Sequence, residues 1–180
     1  MDDEIQLETS FSATVNAPVE DVDLPSWCFS LPESEYLACS PAHVAAGATT
    51  AQDGRRMSIN VEFSGGTLVV QHYVEDIGKP DHLRLVSISD LFTPTGRTTA
   101  RVIWDLRVRK IDDHTCEFTN TVLSSVTPEQ RDFLARQSIP LELVRAAQRP
   151  ALEAHNRQET PLFARSIERH ASRRRDPVSV

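Results

Sequence analysis

The chain of 180 residues has no Lys or Arg before Arg55, although ten Asp and Glu lie in that stretch. It opens Met1-Asp2-Asp3-Glu4, acidic where a secretory signal or transit peptide is basic. No apolar run approaches the ~20 residues of a membrane span, which argues against stable membrane insertion. Three cysteines, Cys28, Cys39 and Cys116, lack CxxC spacing and cannot all pair. They read as reduced thiols in a cytoplasmic protein. HExxH, GxSxG and Walker sequences are missing, which excludes the metal-protease, nucleophile-elbow and P-loop chemistries that those patterns carry. The six histidines are scattered without metal-ligand spacing, and Asp112-Asp113-His114 reads as a turn, so no metal and no cofactor are expected. A net charge of −7 without a basic, aromatic-interleaved patch speaks against a nucleic-acid partner.

What is present is alternation followed by helix. Ile5, Leu7, Thr9, Phe11, Ala13 and Val15 share one face of a first strand that Asn16-Ala17-Pro18 stops. Alternation then lapses from Val19 to Cys39. Asp23 can cap one short helix there, and Ser30-Leu31-Pro32-Glu33 is a capping box for a second. Strands return over His43–Ala51, Arg56–Ser64, Thr67–Ile77, Leu83–Phe92, Thr98–Ile111 and Thr115–Val126, six antiparallel neighbours in sequence. Gly65-Gly66 joins two of them as a tight hairpin, because such turns need positive φ.

At Thr127-Pro128-Glu129-Gln130 the period changes to helical, with an N-cap Thr and Pro at the first helical position. Leu143, Val144, Ala147, Ala151 and Ala154 form the tail's apolar stripe. A kink is expected at Pro150 and a fresh helix start at Thr160-Pro161. Residues 1–172 read as one domain and 173–180, with Arg173-Arg174-Arg175, as a disordered basic tail.

This order of elements resembles the helix-grip fold of the START/SRPBCC superfamily, which includes pollen-allergen-like proteins, lipid-transfer domains and polyketide aromatase/cyclases. The supporting residues are Phe11-Ser12-Ala13-Thr14-Val15-Asn16-Ala17-Pro18-Val19-Glu20-Asp21-Val22, the Gly65-Gly66 hairpin and the Thr127-Pro128 helix start. The resemblance implies an α+β fold: a curved seven-stranded antiparallel sheet around a long kinked C-terminal helix, with two short helices after the first strand. It implies an internal hydrophobic cavity and no universal catalytic residue.

The cavity is expected to be mostly apolar and lined by the apolar parity of each strand. That places Val61, Val70, Trp104 and Phe118 inside, with Val144 from the tail, and two polar groups beside them, His72 and Asn120. His72 can serve as donor, acceptor or base, or stand as a core histidine; Asn120 can meet a ligand carbonyl or tie strands together. Trp27 and Tyr36 belong to the solvent face or to the cavity rim. The leading reading is binding or carriage of a small hydrophobic molecule. An aromatase/cyclase-type enzyme and an interaction module without ligand are the alternatives, with catalytic residues unassigned and a homodimer left open. Outward sets rich in Arg, Asp, Glu and Ser argue against the interaction module.

Overall fold

The computed structural model describes residues 5–175, with side chains from Leu7 onward. Its strands β1 (Ile5–Val15), β2 (His43–Thr50), β3 (Arg56–Ser64), β4 (Thr67–Lys79), β5 (His82–Thr93), β6 (Gly96–Lys110) and β7 (Cys116–Val126) form one antiparallel sheet. The order across the sheet is β1-β7-β6-β5-β4-β3-β2. Each strand after β2 therefore lies beside its predecessor, and β1 closes onto β7. Gly65 and Gly66 have φ of 55° and 82°, and the hairpin they make pairs Ser64 with Thr67.

Between β1 and β2 lie α1 (Leu24–Ser30) and α2 (Glu33–Ala38). The Asp23 side chain accepts from the Ser26 amide at 2.9 Å and starts α1. The capping box expected for α2 does not form. Ser30 Oγ instead donates to the Ser26 carbonyl at 2.7 Å, still within the last turn of α1, and Pro32 stands at the N-cap of α2 without a side-chain bond.

The tail divides into α3 (Pro128–Arg136) and α4 (Leu141–Arg175). Thr127 Oγ1 accepts from the Gln130 amide at 3.1 Å, as the sequence predicts. The interruption falls at residues 137–140, where Ser138 takes φ 55° ahead of Pro140. No fresh start occurs at Pro161, because α4 runs through both Pro150 and Pro161. Packing holds it together there: Thr160 Oγ1 donates to the Asn156 carbonyl at 2.6 Å, and Phe163 is fully buried. Arg173–Arg175 continue the helix, with Arg174 2.7 Å from Asp23; 176–180 lie outside the described residues.

The buried face of α4 is not the expected stripe. Leu143 is 60% exposed, while Asn156, Thr160, Phe163, Ile167 and Ala171 are buried. Their spacing of three and four residues defines one helical face, and Leu143, Ala147 and Ala154 lie off it. Trp27 is also core rather than surface or rim. Its Nε1 donates to Ser166 Oγ at 2.8 Å, and its ring meets Phe163 edge-on at 5.6 Å, which seals α1 against α4.

On β6 and β7 the inner face carries Trp104, Phe118 and Asn120, as expected, and on β5 it carries Leu83 and Leu85. On β3 and β4 the faces are reversed. Ser58, Asn60 and Glu62 of β3 and Val69, Gln71 and Tyr73 of β4 are the buried sets. Val61, Val70 and His72 therefore sit on the outer face, where Val61 pairs with Val70. The outer face also carries a strip in which Phe63 pairs with Leu68 and Leu68 with Phe92, the two phenylalanines being 55% and 44% exposed. At that strip the outer face is apolar, where outward sets rich in Arg, Asp, Glu and Ser are expected.

Candidate functional site

α4 packs chiefly on β1, and on β7 and β3, across the inner face of the sheet. It leaves a cavity of about 100 Å³ between itself and the strands. An enclosed water needs only ~10–15 Å³ of such space, so several waters or a compact organic molecule fit. Val69, Leu91, Val102, Trp104 and Val122 make an apolar wall, while Glu62, Gln71, His155, Asn156 and Glu159 make a polar one. The expected mostly apolar cavity thus has a second, hydrogen-bonding side. It arises because β3 turns its polar face inward and the midsection of α4 presents polar residues to the sheet.

That side is a connected cluster. Gln71 Nε2 donates to Glu62 Oε1 at 3.2 Å. His155 Nε2 stands 3.3 Å from Glu62 Oε2 and 3.3 Å from Glu159 Oε2. His43, buried behind the wall, brings its Nε2 to 3.2 Å from the same Glu159 oxygen, and its Nδ1 meets the Tyr36 carbonyl at 2.7 Å. The other Glu159 oxygen accepts from Asn120 Nδ2 at 3.0 Å, and Asn120 Oδ1 accepts from Trp104 Nε1 at 2.8 Å. The side-chain donor atoms of His43, His155 and Glu159 lie within 4.8 Å of one another, so the fold gathers the metal-ligand types that their sequence positions scatter.

Burying two carboxylates is costly unless they are paired and hydrogen-bonded. Here both are. Burial alone would raise the Glu159 carboxyl, but the His155 and His43 hydrogen bonds pull it down to about 2. Burial would lower the His155 imidazolium, yet Glu159 and Glu62 override it and hold its pKa at about 10. Burial pushes the Tyr36 and Tyr73 phenols far up, so both stay neutral at the cavity wall. The three thiols are unbridged and buried, with burial raising Cys28 and Cys39 to about 12 and Cys116 to about 11.

The residues singled out from sequence are dispersed. Trp104 lines the cavity. Asn120 is fully buried one layer behind it, holding Trp104 and Glu159 in place. Phe118 lies in the core, 6.5 Å from Trp27. Val144 is half-buried on α4 and is not part of the lining. Val61, Val70 and His72 are on the far side of the sheet; the His72 side chain is 40% exposed, with Nδ1 4.0 Å from Asp90. Sequence reasoning missed His43, Glu62, His155 and Glu159. One local signal was available: His155 and Glu159 stand four apart on one helix, where side chains meet.

No protein-family model and no curated protein matches the sequence. Solved structures do match. One is the aromatase/cyclase Zhui from Streptomyces sp. R1128, at a TM-score of 0.60 and 14% identity over 97% of this chain and 99% of that one. The chain has the helix-grip fold. A second match is the di-domain aromatase/cyclase StfQ of the steffimycin biosynthetic pathway, at a TM-score of 0.57 and 13% identity, covering 93% of this chain and 53% of that one. A third is TTHA0849 from Thermus thermophilus, at 0.54 and 14% identity over 92% and 97%. At such identities the helix-grip likeness speaks to architecture. Among the described residues no helix is long and apolar enough to cross a membrane.

Proposed function

We propose that the chain binds a small hydrophobic molecule bearing a polar group. The apolar body lies against Val102, Trp104 and Val122, and the polar group meets the Glu62–His155–Glu159 cluster. One observation carries this reading: a single cavity whose wall joins an aromatic apolar surface to a hydrogen-bonded cluster held in place from behind. Apolar burial supplies affinity in such a site, and the polar cluster supplies orientation. With buried unbridged thiols and an acidic balance, the protein on this reading acts in the cytoplasm and apart from nucleic acid.

Native mass spectrometry of the protein purified from its own host tests the proposal. A co-purifying organic molecule is expected, as is binding of a fluorescent apolar probe that a neutral naphthol displaces. Neither ligand nor probe binding would defeat it.

The cluster also favours a second reading, an enzyme of the aromatase/cyclase kind. Proton transfer in such chemistry needs several polar groups around one reacting position. His155, held protonated by Glu159 and Glu62, can give a proton to a carbonyl group and recover it, and the neutral phenols of Tyr36 and Tyr73 can donate to its oxygen. Carriage and turnover separate in a His155→Gln variant. A carrier changes only its affinity, whereas an enzyme keeps its ligand and loses product formation.

A further inference from the structure

His43, His155 and Glu159 bring their donor atoms within 4.8 Å of one another, and Glu62 stands beside them. Around the ring His43 Nε2, Glu159 Oε2, His155 Nε2, Glu62 Oε2, successive donor atoms are 3.2, 3.3, 3.3 and 3.9 Å apart. Donors bound tetrahedrally at zinc's usual N and O distances lie about 3.3–3.6 Å from each other. Three of the four separations fall within 0.1 Å of that range, and the fourth is longer.

A second observation is independent of those distances. Each of the four side chains has its other polar atom held from outside. His43 Nδ1 is fixed by the Tyr36 carbonyl and His155 Nδ1 by Ser40 Oγ, at 2.7 and 3.2 Å. Glu159 Oε1 is held by Asn120 Nδ2 and Glu62 Oε1 by Gln71 Nε2, at 3.0 and 3.2 Å. A carbonyl can only accept, so His43 carries a proton on Nδ1, which leaves Nε2 as the atom it can offer to an ion. Partners that orient the far atom of every ligand are what a metal site needs.

Ligation requires both imidazoles to be neutral, so a bound ion would displace the proton that Glu159 and Glu62 hold on His155.

We propose that His43, His155, Glu159 and Glu62 bind a divalent transition-metal ion of zinc's class at the wall of the cavity. Mixed imidazole and carboxylate donors suit Zn²⁺ or Co²⁺, whereas Mg²⁺ and Ca²⁺ take oxygen ligands. Glu62, His155 and Glu159 line the cavity, so the ion would border it and could bind the oxygen of an organic ligand. The metal site stands whether or not that organic ligand exists.

The test uses the full chain stripped with a chelator and titrated with Zn²⁺, Co²⁺ and Mg²⁺ by calorimetry. One Zn²⁺ or Co²⁺ per chain is expected, with Mg²⁺ far weaker. Bound Co²⁺ should show the intense visible bands of four or five ligands. Glu159→Gln and His155→Gln should each weaken binding tenfold or more, and Ser40→Ala about tenfold by releasing the His155 ring. His114→Ala, in a surface turn, should change nothing. The absence of a stoichiometric ion, or an affinity indifferent to Glu159→Gln and His155→Gln, would overturn the proposal. If those variants do not fold, anomalous scattering from zinc-loaded wild-type crystals decides. A peak among the four donor atoms supports the site, and a peak elsewhere, or none, rejects it.

Discussion

The rings of His43 and His155 lie 5.2 Å apart at 77°, and both bring Nε2 to one oxygen of Glu159, at 3.2 and 3.3 Å. His43 comes from the start of β2 and His155 from the middle of α4, so the helix and the sheet meet at a single carboxylate. The polar side of the cavity is built around that meeting.

Asn120 supports it. Replacing Asn120 by Leu leaves the Trp104 indole N–H and one oxygen of the Glu159 carboxylate, Oε1, without a buried partner. An unpaired buried polar group costs about 1–3 kcal/mol and a charged one more. Asn120→Leu should therefore lose about 2–5 kcal/mol in urea denaturation, a stability defect rather than a change of affinity alone.

His72→Leu should do almost nothing. The side chain is 40% exposed on the outer face. Surface changes of this kind stay within about 0.5 kcal/mol. The naphthol affinity and the urea midpoint should both match the wild type.

Trp27→Phe should destabilise by about 1–3 kcal/mol, because it removes the bond to Ser166 and part of a fully buried ring. Scanning calorimetry should show a lower Tm, and the far-ultraviolet spectrum should be unchanged.

Asp105 should contribute to acid sensitivity. Burial opposes its ionisation, but hydrogen bonds from Arg107, Arg84 and His82 win and hold its carboxyl below the ordinary range. A folded pKa below the unfolded one stabilises the protein above the unfolded value, about 3.9, and that contribution is lost as pH falls through the folded value. The stability gap between wild type and Asp105→Asn should be full near neutrality and shrink below about pH 4. A constant gap in urea titrations across that window would contradict this assignment.

Element order and strand limits were legible because each strand alternates and each turn has its own chemistry. The inner faces of β6 and β7 were legible too, since only one face of each is apolar enough for a core, whereas β5 carries Val86, Ile88 and Phe92 opposite Leu83, Leu85 and Leu91 and its parity was ambiguous. β3 misled for a physical reason. Alternation separates Met57, Ile59, Val61 and Phe63 from Ser58, Asn60 and Glu62, but it does not say which set turns inward. The apolar set was the natural choice, and the cavity takes the polar one. β4 misled in the same way, since Leu68, Val70 and Val74 are its more apolar parity and yet Val69, Gln71 and Tyr73 turn inward. The site itself draws on residues 43, 62, 155 and 159, which only the fold brings together.

The central claim is that ligand enters between α4 and the inner face of the sheet. Methyl-resolved NMR during titration with a neutral naphthol tests it most directly. The account predicts saturable shifts at Leu91, Val102, Val122 and Leu152, with Val61 and Val70 on the outer face unmoved. Shifts confined to Val61 and Val70, or no saturable shift at the inner methyls, would contradict it.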